Sequence, residues 1–245
     1  MSIPDAVQAL DRDLRGIFGS RLQSLVIYGR RSRGRAHDAA HGAAHTHAAA
    51  PAQTLAVVES ITEVDLRAAA GRVAAWHGAG LATPLLIVAR EFARSLDAFP
   101  LEFGAILADH EVVVGGTPFA SLVVDAADVR RACEVQARSH LLHLREGYLE
   151  TRGRADALSD LIVRSAGAFA ALIASIARLD GHGADDPAAA ARHVERLLNI
   201  PGSVTEITKL AGVAEISSAE AERLFAPYLA AVQKLVEHVD GWSAR

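Results

Sequence analysis

The hydrophobic period changes once along this chain, near residue 120, and that change limits the fold to two kinds of packing joined end to end. Before it, short runs of β-branched and large apolar residues are cut off by glycine or proline. After it, apolar residues recur every three or four positions to the end of the chain. In the first part, Val7, Leu10, Leu14 and Ile17 mark a short amphipathic helix. Leu22–Tyr28 reads as a strand stopped by Gly29, and Leu55–Val58 as a second strand. Asp65–Trp76 follows as a helix, then Pro84–Val88 as a strand and Arg90–Leu96 as a helical turn or two. Leu101–Leu107 alternates poorly between Pro100 and Asp109-His110-Glu111, and Val112–Val114 reads as a short edge strand.

In the second part, Asp125 and Asp128 open a long helix running to about Thr151, with Cys133, Leu141, Leu144 and Tyr148 on its inner side. A second stripe runs from Leu158 to Ile176, and a third helix carries Val194, Leu197 and Leu198. Ser203 and Glu206 have capping-box spacing for a fourth, and Leu224 to Val239 line a last long helix containing Pro227. The fold class expected is α/β (α+β): a mixed-sheet domain over residues 1–120, then a helical bundle over 121–245.

Charge and cysteine usage narrow the function classes. Among 245 residues, 25 Lys+Arg stand against 29 Asp+Glu, a formal net charge of −4, so no global basic field draws nucleic acid or an acidic membrane. The single cysteine, Cys133, allows no intramolecular disulfide and reads as a packed thiol in a reducing compartment, so a cytoplasmic protein is expected. Apolar stretches fall short of the roughly 20 residues a membrane span needs.

The tract between the first two strands is unusual. Arg30, Arg31, Arg33 and Arg35 fall within six residues, and His37, His41, His45 and His47 within eleven, in a background of alanine and glycine. A helix, a strand ending in glycine, an arginine-rich turn, a second strand and a later strand bearing a carboxylate together resemble the nucleotidyltransferase superfamily, the fold of kanamycin nucleotidyltransferase and DNA polymerase beta. That resemblance implies a Gly-Ser pair after the first strand, two carboxylates one residue apart on the next, and a third on a neighbouring strand. It also implies two divalent metals held by those acids. Carboxylates are the hard oxygen ligands magnesium prefers, and alternate strand positions share a face.

Here the match is incomplete. Tyr28-Gly29-Arg30-Arg31-Ser32-Arg33-Gly34 puts Arg30 where the family has serine, and Leu55–Val58 puts the paired acids at Ala52 and Thr54. Glu102 is the one candidate for the third acid. The expectation is therefore a catalytically degenerate nucleotidyltransferase-like protein with a binding or regulatory role, in which Glu102 keeps the catalytic position. Gly29, Arg30, Arg31 and Arg33 would hold a nucleotide or another anionic small molecule. No cofactor is expected; magnesium enters only in the alternative, a divergent magnesium-dependent nucleotidyltransferase acting on a small molecule or protein. A homodimer through the bundle is a further expected partner, while a membrane is not and nucleic acid is disfavoured. No metal site is assigned to the histidine tract, because almost nothing large and apolar anchors it. Arg138 and His143 resemble the Arg-x4-His motif of a helical ribonuclease family, but five residues along a helix turn the two side chains about 140° apart.

Overall fold

The computed structural model describes residues 5–29, 51–182 and 186–243. Two compact units divide it, Met1–Val124 and Asp125–Arg245. The boundary falls a few residues beyond the expected one, at Asp125, whose carboxylate caps the first helix of the bundle by accepting from the Ala127 N–H at 2.7 Å.

The first unit is built on a four-stranded sheet. Helix α1 (Asp5–Phe18) leads through a single 3₁₀ turn, Gly19–Arg21, into β1 (Leu22–Tyr28). Then come β2 (Gln53–Val58), α2 (Glu63–Ala70), α3 (Val73–Gly78), β3 (Leu85–Val88), α4 (Ala89–Arg94), α5 (Pro100–Ala108) and β4 (His110–Gly115). The sheet order is β3-β2-β1-β4. Strands β1 and β2 are antiparallel neighbours, β1 and β4 likewise, whereas β2 and β3 run parallel. The two segments read as strands, Leu22–Tyr28 and Leu55–Val58, are therefore neighbours in one sheet, and the valine run of β4 is an edge strand.

Both faces of the central strands are covered. Leu25, Ile27, Ala56 and Val58 pack with Val7, Leu10, Leu14 and Phe18 of α1, whose three-to-four-residue spacing turns those four side chains one way. Val26, Leu55 and Val57 pack on the other face against Phe92, Phe103, Ile106 and Phe119. A strand apolar at every position is what such double coverage selects. Around the first face, Arg21 grips Asp65 with two guanidinium nitrogens, each 2.7 Å from a carboxylate oxygen. Asp65 also accepts from the Thr62 N–H at 2.8 Å and closes a capping box at the start of α2.

Two expectations are corrected here. Leu101–Leu107 is not a strand but most of α5, which begins with Pro100 in its first turn. The chain there is apolar on nearly every side, so it has no readable period, and proline fits the first helical turn because no N–H is needed there. The single helix expected over 65–76 is two, α2 and α3, broken at Gly71 and Arg72.

The second unit contains α6 (Ala126–Thr151), α7 (Ala155–Leu179), α8 (Pro187–Leu198), α9 (Ser203–Thr208) and α10 (Ser218–Asp240). Its core is formed by Cys133, Ala137, Leu141 and Leu144 of α6, Ile162, Phe169, Leu172 and Ile176 of α7, and Tyr228, Val232 and Leu235 of α10. Burial pushes the Cys133 thiol up to about 12. Ser203 does not cap α9: Gly202 occupies that position with φ of 84°, and Glu206 instead pairs with Arg223 at 2.7 Å. Helix α7 is long and apolar enough to cross a membrane by length and composition. Ten of its residues, Phe169 and Ile173 among them, are nonetheless buried within the protein.

Candidate functional site

Strand pairing decides what meets at the end of β1. Because β2 and β4 both run antiparallel to β1, their first residues lie beside its last: Tyr28 faces Gln53 on one side and His110 on the other. The Tyr28 hydroxyl donates to Gln53 Oε1 at 3.3 Å. Gly29 turns the chain away with φ of 68°, a conformation glycine adopts without cost. Its N–H donates to the Asp109 carbonyl at 3.0 Å, so Gly29 supplies the turn and its own amide is already engaged. His110 Nδ1 lies 3.0 Å from the Ile106 carbonyl and its ring meets Phe119 edge-on, which fixes the imidazole against α5.

Ala52 and Thr54, the positions of the expected acids, lie on the face that α1 covers. Thr54 faces Ile27 across the β1–β2 ladder and is 1% exposed, and its hydroxyl has no hydrogen-bond partner. An ionised carboxylate there would be desolvated without compensation, so the fold has filled the position with a side chain that tolerates enclosure. Strands β1, β2 and β3 carry no carboxylate at all, and β4 carries one, Glu111.

Glu102 sits in the first turn of helix α5, exposed, between the buried Leu101 and Phe103. It therefore does not provide the strand-borne third acid that the family pattern requires. Arg30, Arg31 and Arg33 lie outside the described residues, as do the four histidines of the tract. Among the described residues no group of three His, Cys, Asp or Glu has the arrangement to hold a metal ion. The donor set for two magnesium ions is thus not assembled from the described residues.

Two acids escaped the sequence reading. Asp109 and Glu111 flank His110 at the start of β4, where pairing with β1 sets Asp109 beside Gly29 and Glu111 opposite Ile27. Asp109 is buried and Glu111 half-buried. A carboxylate pair at i and i+2 is visible in the sequence, but nothing local reveals that β4 returns to β1 from eighty residues away.

Elsewhere several polar side chains of the bundle pair with one another. Arg138 donates to Glu134 at 3.0 Å and to Asp240 at 2.7 Å, while the exposed His143 is 3.4 Å from Glu146, so the two are not joined in one catalytic pair. Asp180 accepts from the Trp242 indole at 3.2 Å and faces His193 and His238 at 3.6 and 3.7 Å. A cavity of about 400 Å³ between α6 and α7 is lined by Glu150, Asp160 and Arg164, the last two 3.6 Å apart.

No protein-family model matches the chain, and no curated protein matches its sequence. A solved structure is similar in fold: spectinomycin adenyltransferase AAD(9) from Enterococcus faecialis, described with ATP and spectinomycin. It is similar with a TM-score of 0.58 and 11% identity, over 96% of this chain and 99% of that one. At that identity the likeness speaks for the fold. The arrangement of α1, the mixed sheet and the following helices is the kanamycin nucleotidyltransferase-like fold.

Proposed function

We propose that this chain is a nucleotidyltransferase-fold protein that binds a nucleotide or another anionic small molecule at the end of β1 and transfers no nucleotidyl group. Its role is binding or regulation. The observation that carries this reading is the half-buried Ala52 and the buried Thr54, where the fold's metal-binding acids are expected and no carboxylate stands. Magnesium, when bound in such a fold, neutralises the triphosphate and activates the attacking oxygen. Without its ligands the charge falls to the arginines. The run Arg30, Arg31, Arg33 begins immediately after Gly29, and guanidinium groups hold phosphate oxygens in pairs with no metal between. The similar AAD(9) structure, described with ATP, supports a nucleotide as the first ligand to try.

Calorimetry with ATP tests the binding reading. Affinity should persist in EDTA and fall at least tenfold in Arg30→Ala/Arg31→Ala. Binding that needs magnesium and survives both substitutions overturns the reading.

A second reading keeps catalysis. Asp109 and Glu111 are two carboxylates one residue apart where β4 meets the end of β1, Asp109 beside Gly29 and Glu111 opposite Ile27, which makes them the candidate ligands of a divergent magnesium-dependent nucleotidyltransferase. Labelled nucleoside triphosphates with magnesium or manganese decide between the two. Transfer of label that disappears in Asp109→Asn or Glu111→Gln, with the fold intact, establishes the second reading; no transfer above either variant supports the first.

A further inference from the structure

Helix α6 is amphipathic twice over. Its inner side, through Cys133, Ala137, Leu141 and Leu144, is buried in the bundle. Its outer side carries Val135, Leu142 and Leu149, which are 62%, 62% and 76% exposed. Seven-residue spacing keeps the three in one row, drifting only about 20° per repeat. Single exposed apolar residues are ordinary, but three large ones aligned along about 20 Å of one helix form a seam of the kind a second helix covers.

The charges beside the seam say which helix. Reversing α6 on itself about Leu142 sets Val135 against Leu149, Leu142 against Leu142, Arg138 against Glu146 and Ser139 against Arg145. Every apolar side chain then meets an apolar one, and the Arg138 and Glu146 of each copy meet the opposite charge. A parallel pairing would instead set Arg138, Arg145 and Glu146 each against its own like charge. Only the reversed order is self-complementary, which is the condition for a closed twofold interface. Among the described residues Glu146 is paired only with the exposed His143, so it is available to a partner.

We propose that the protein forms a twofold dimer by antiparallel packing of α6 on the α6 of a second copy, along Val135, Leu142 and Leu149. The seam lies within the bundle and needs no ligand, so it stands independently of the binding function proposed above.

Sedimentation of the full chain at tens of micromolar should give twice the chain mass of 25.8 kDa. Leu142→Asp puts two carboxylates together at the axis and should give the single mass with unchanged circular dichroism, since Leu142 is mostly outside the core. A wild type that stays at the single mass up to about 100 μM, or a Leu142→Asp protein that remains a dimer, overturns the proposal. Orientation has its own readout. On mild oxidation with diamide, a mixture of Val135→Cys and Leu149→Cys chains should cross-link to each other, and Leu142→Cys to itself. Self-linking of Val135→Cys without the mixed product means a parallel pairing and overturns the antiparallel interface; Cys133, fully buried, contributes no competing thiol.

Discussion

The two units bury polar groups in opposite ways. In the α/β unit the buried acid Asp65 is kept ionised by the bidentate Arg21 and by Thr62, and it joins the end of the 3₁₀ turn to the start of α2. In the bundle the buried cluster around Tyr228 is kept neutral instead. The Tyr228 hydroxyl lies 2.6 Å from His140 Nε2 and donates to Ser165 Oγ at 3.1 Å, which in turn donates to the Ile162 carbonyl at 3.0 Å. The direction of that chain requires His140 to carry its proton on Nε2. Burial holds His140 down to about 4, so it is uncharged at neutral pH. A charged clasp needs a rigid, bidentate partner, whereas the neutral cluster around Tyr228 is a chain of single hydrogen bonds that ends on a backbone carbonyl.

The two tryptophans allow the comparison to be tested unit by unit, since Trp76 is buried in the first and Trp242 follows α10 in the second. The largest expected effect is in the bundle. Phe169→Ala removes a fully buried ring that packs edge-on against Tyr228 at 4.9 Å, and should cost about 3 to 5 kcal/mol in urea unfolding followed through Trp242. A loss under 1 kcal/mol would mean that the bundle core closes over the space.

Acid should separate the units next. His140 takes its proton near 6.5 when unfolded and near 4 when folded, so the unfolded state binds more protons between those values. Bundle stability should therefore fall by roughly 2 kcal/mol as pH drops from about 6.5 to about 4. Hydrogen bonds from Arg21 and Thr62 lower the Asp65 value instead, so its contribution is complete above the ordinary carboxylate range and fades only below it. Trp76 should accordingly report little change from this pair between pH 6.5 and 5, while Trp242 reports a decline. Equal declines at both would erase the contrast.

Two glycines sharpen it further. A Cβ on Gly115 would come 2.0 Å from the Gln23 carbonyl oxygen, at a φ of +83°, so Gly115→Ala forces backbone apart in the sheet and should cost about 2 kcal/mol. On Gly147 it would meet only the Leu161 side chain, at 2.5 Å, which can turn aside. Gly147→Ala should lie within about 1 kcal/mol of wild type, as alanine's helix propensity offsets the repacking. Asp125→Ala, which removes the cap of α6, belongs at the same small end with a loss of about 1 kcal/mol.

What sequence could and could not reveal follows from range. Helices α1, α6, α7 and α10 are legible because each buries one stripe, and Leu22–Tyr28 because a strand covered on both faces is apolar throughout. Helix α5 is illegible for the reason β1 is legible: Leu101, Phe103 and Ile106 are buried and Gly104 and Ala105 pass as apolar, so the run looks the same at either period. The ligand positions divide likewise. Gly29 announces the turn locally, whereas the face of Thr54 and the arrival of Asp109 beside Gly29 depend on pairings that no local pattern encodes.

The place of β1 also sets a timetable. Ser24 pairs with Gly115, so the central strand stays half-paired until the chain as far as β4 has been synthesised and returned. Closing a loop of that length must precede any reward from the ladder, while α6 and α7 are joined by a tight turn and meet almost as soon as they form. In refolding the bundle should lead and the sheet follow, although synthesis delivers them in the reverse order. During synthesis, the apolar strand β1 waits for its second neighbour longer than any other strand in the sheet.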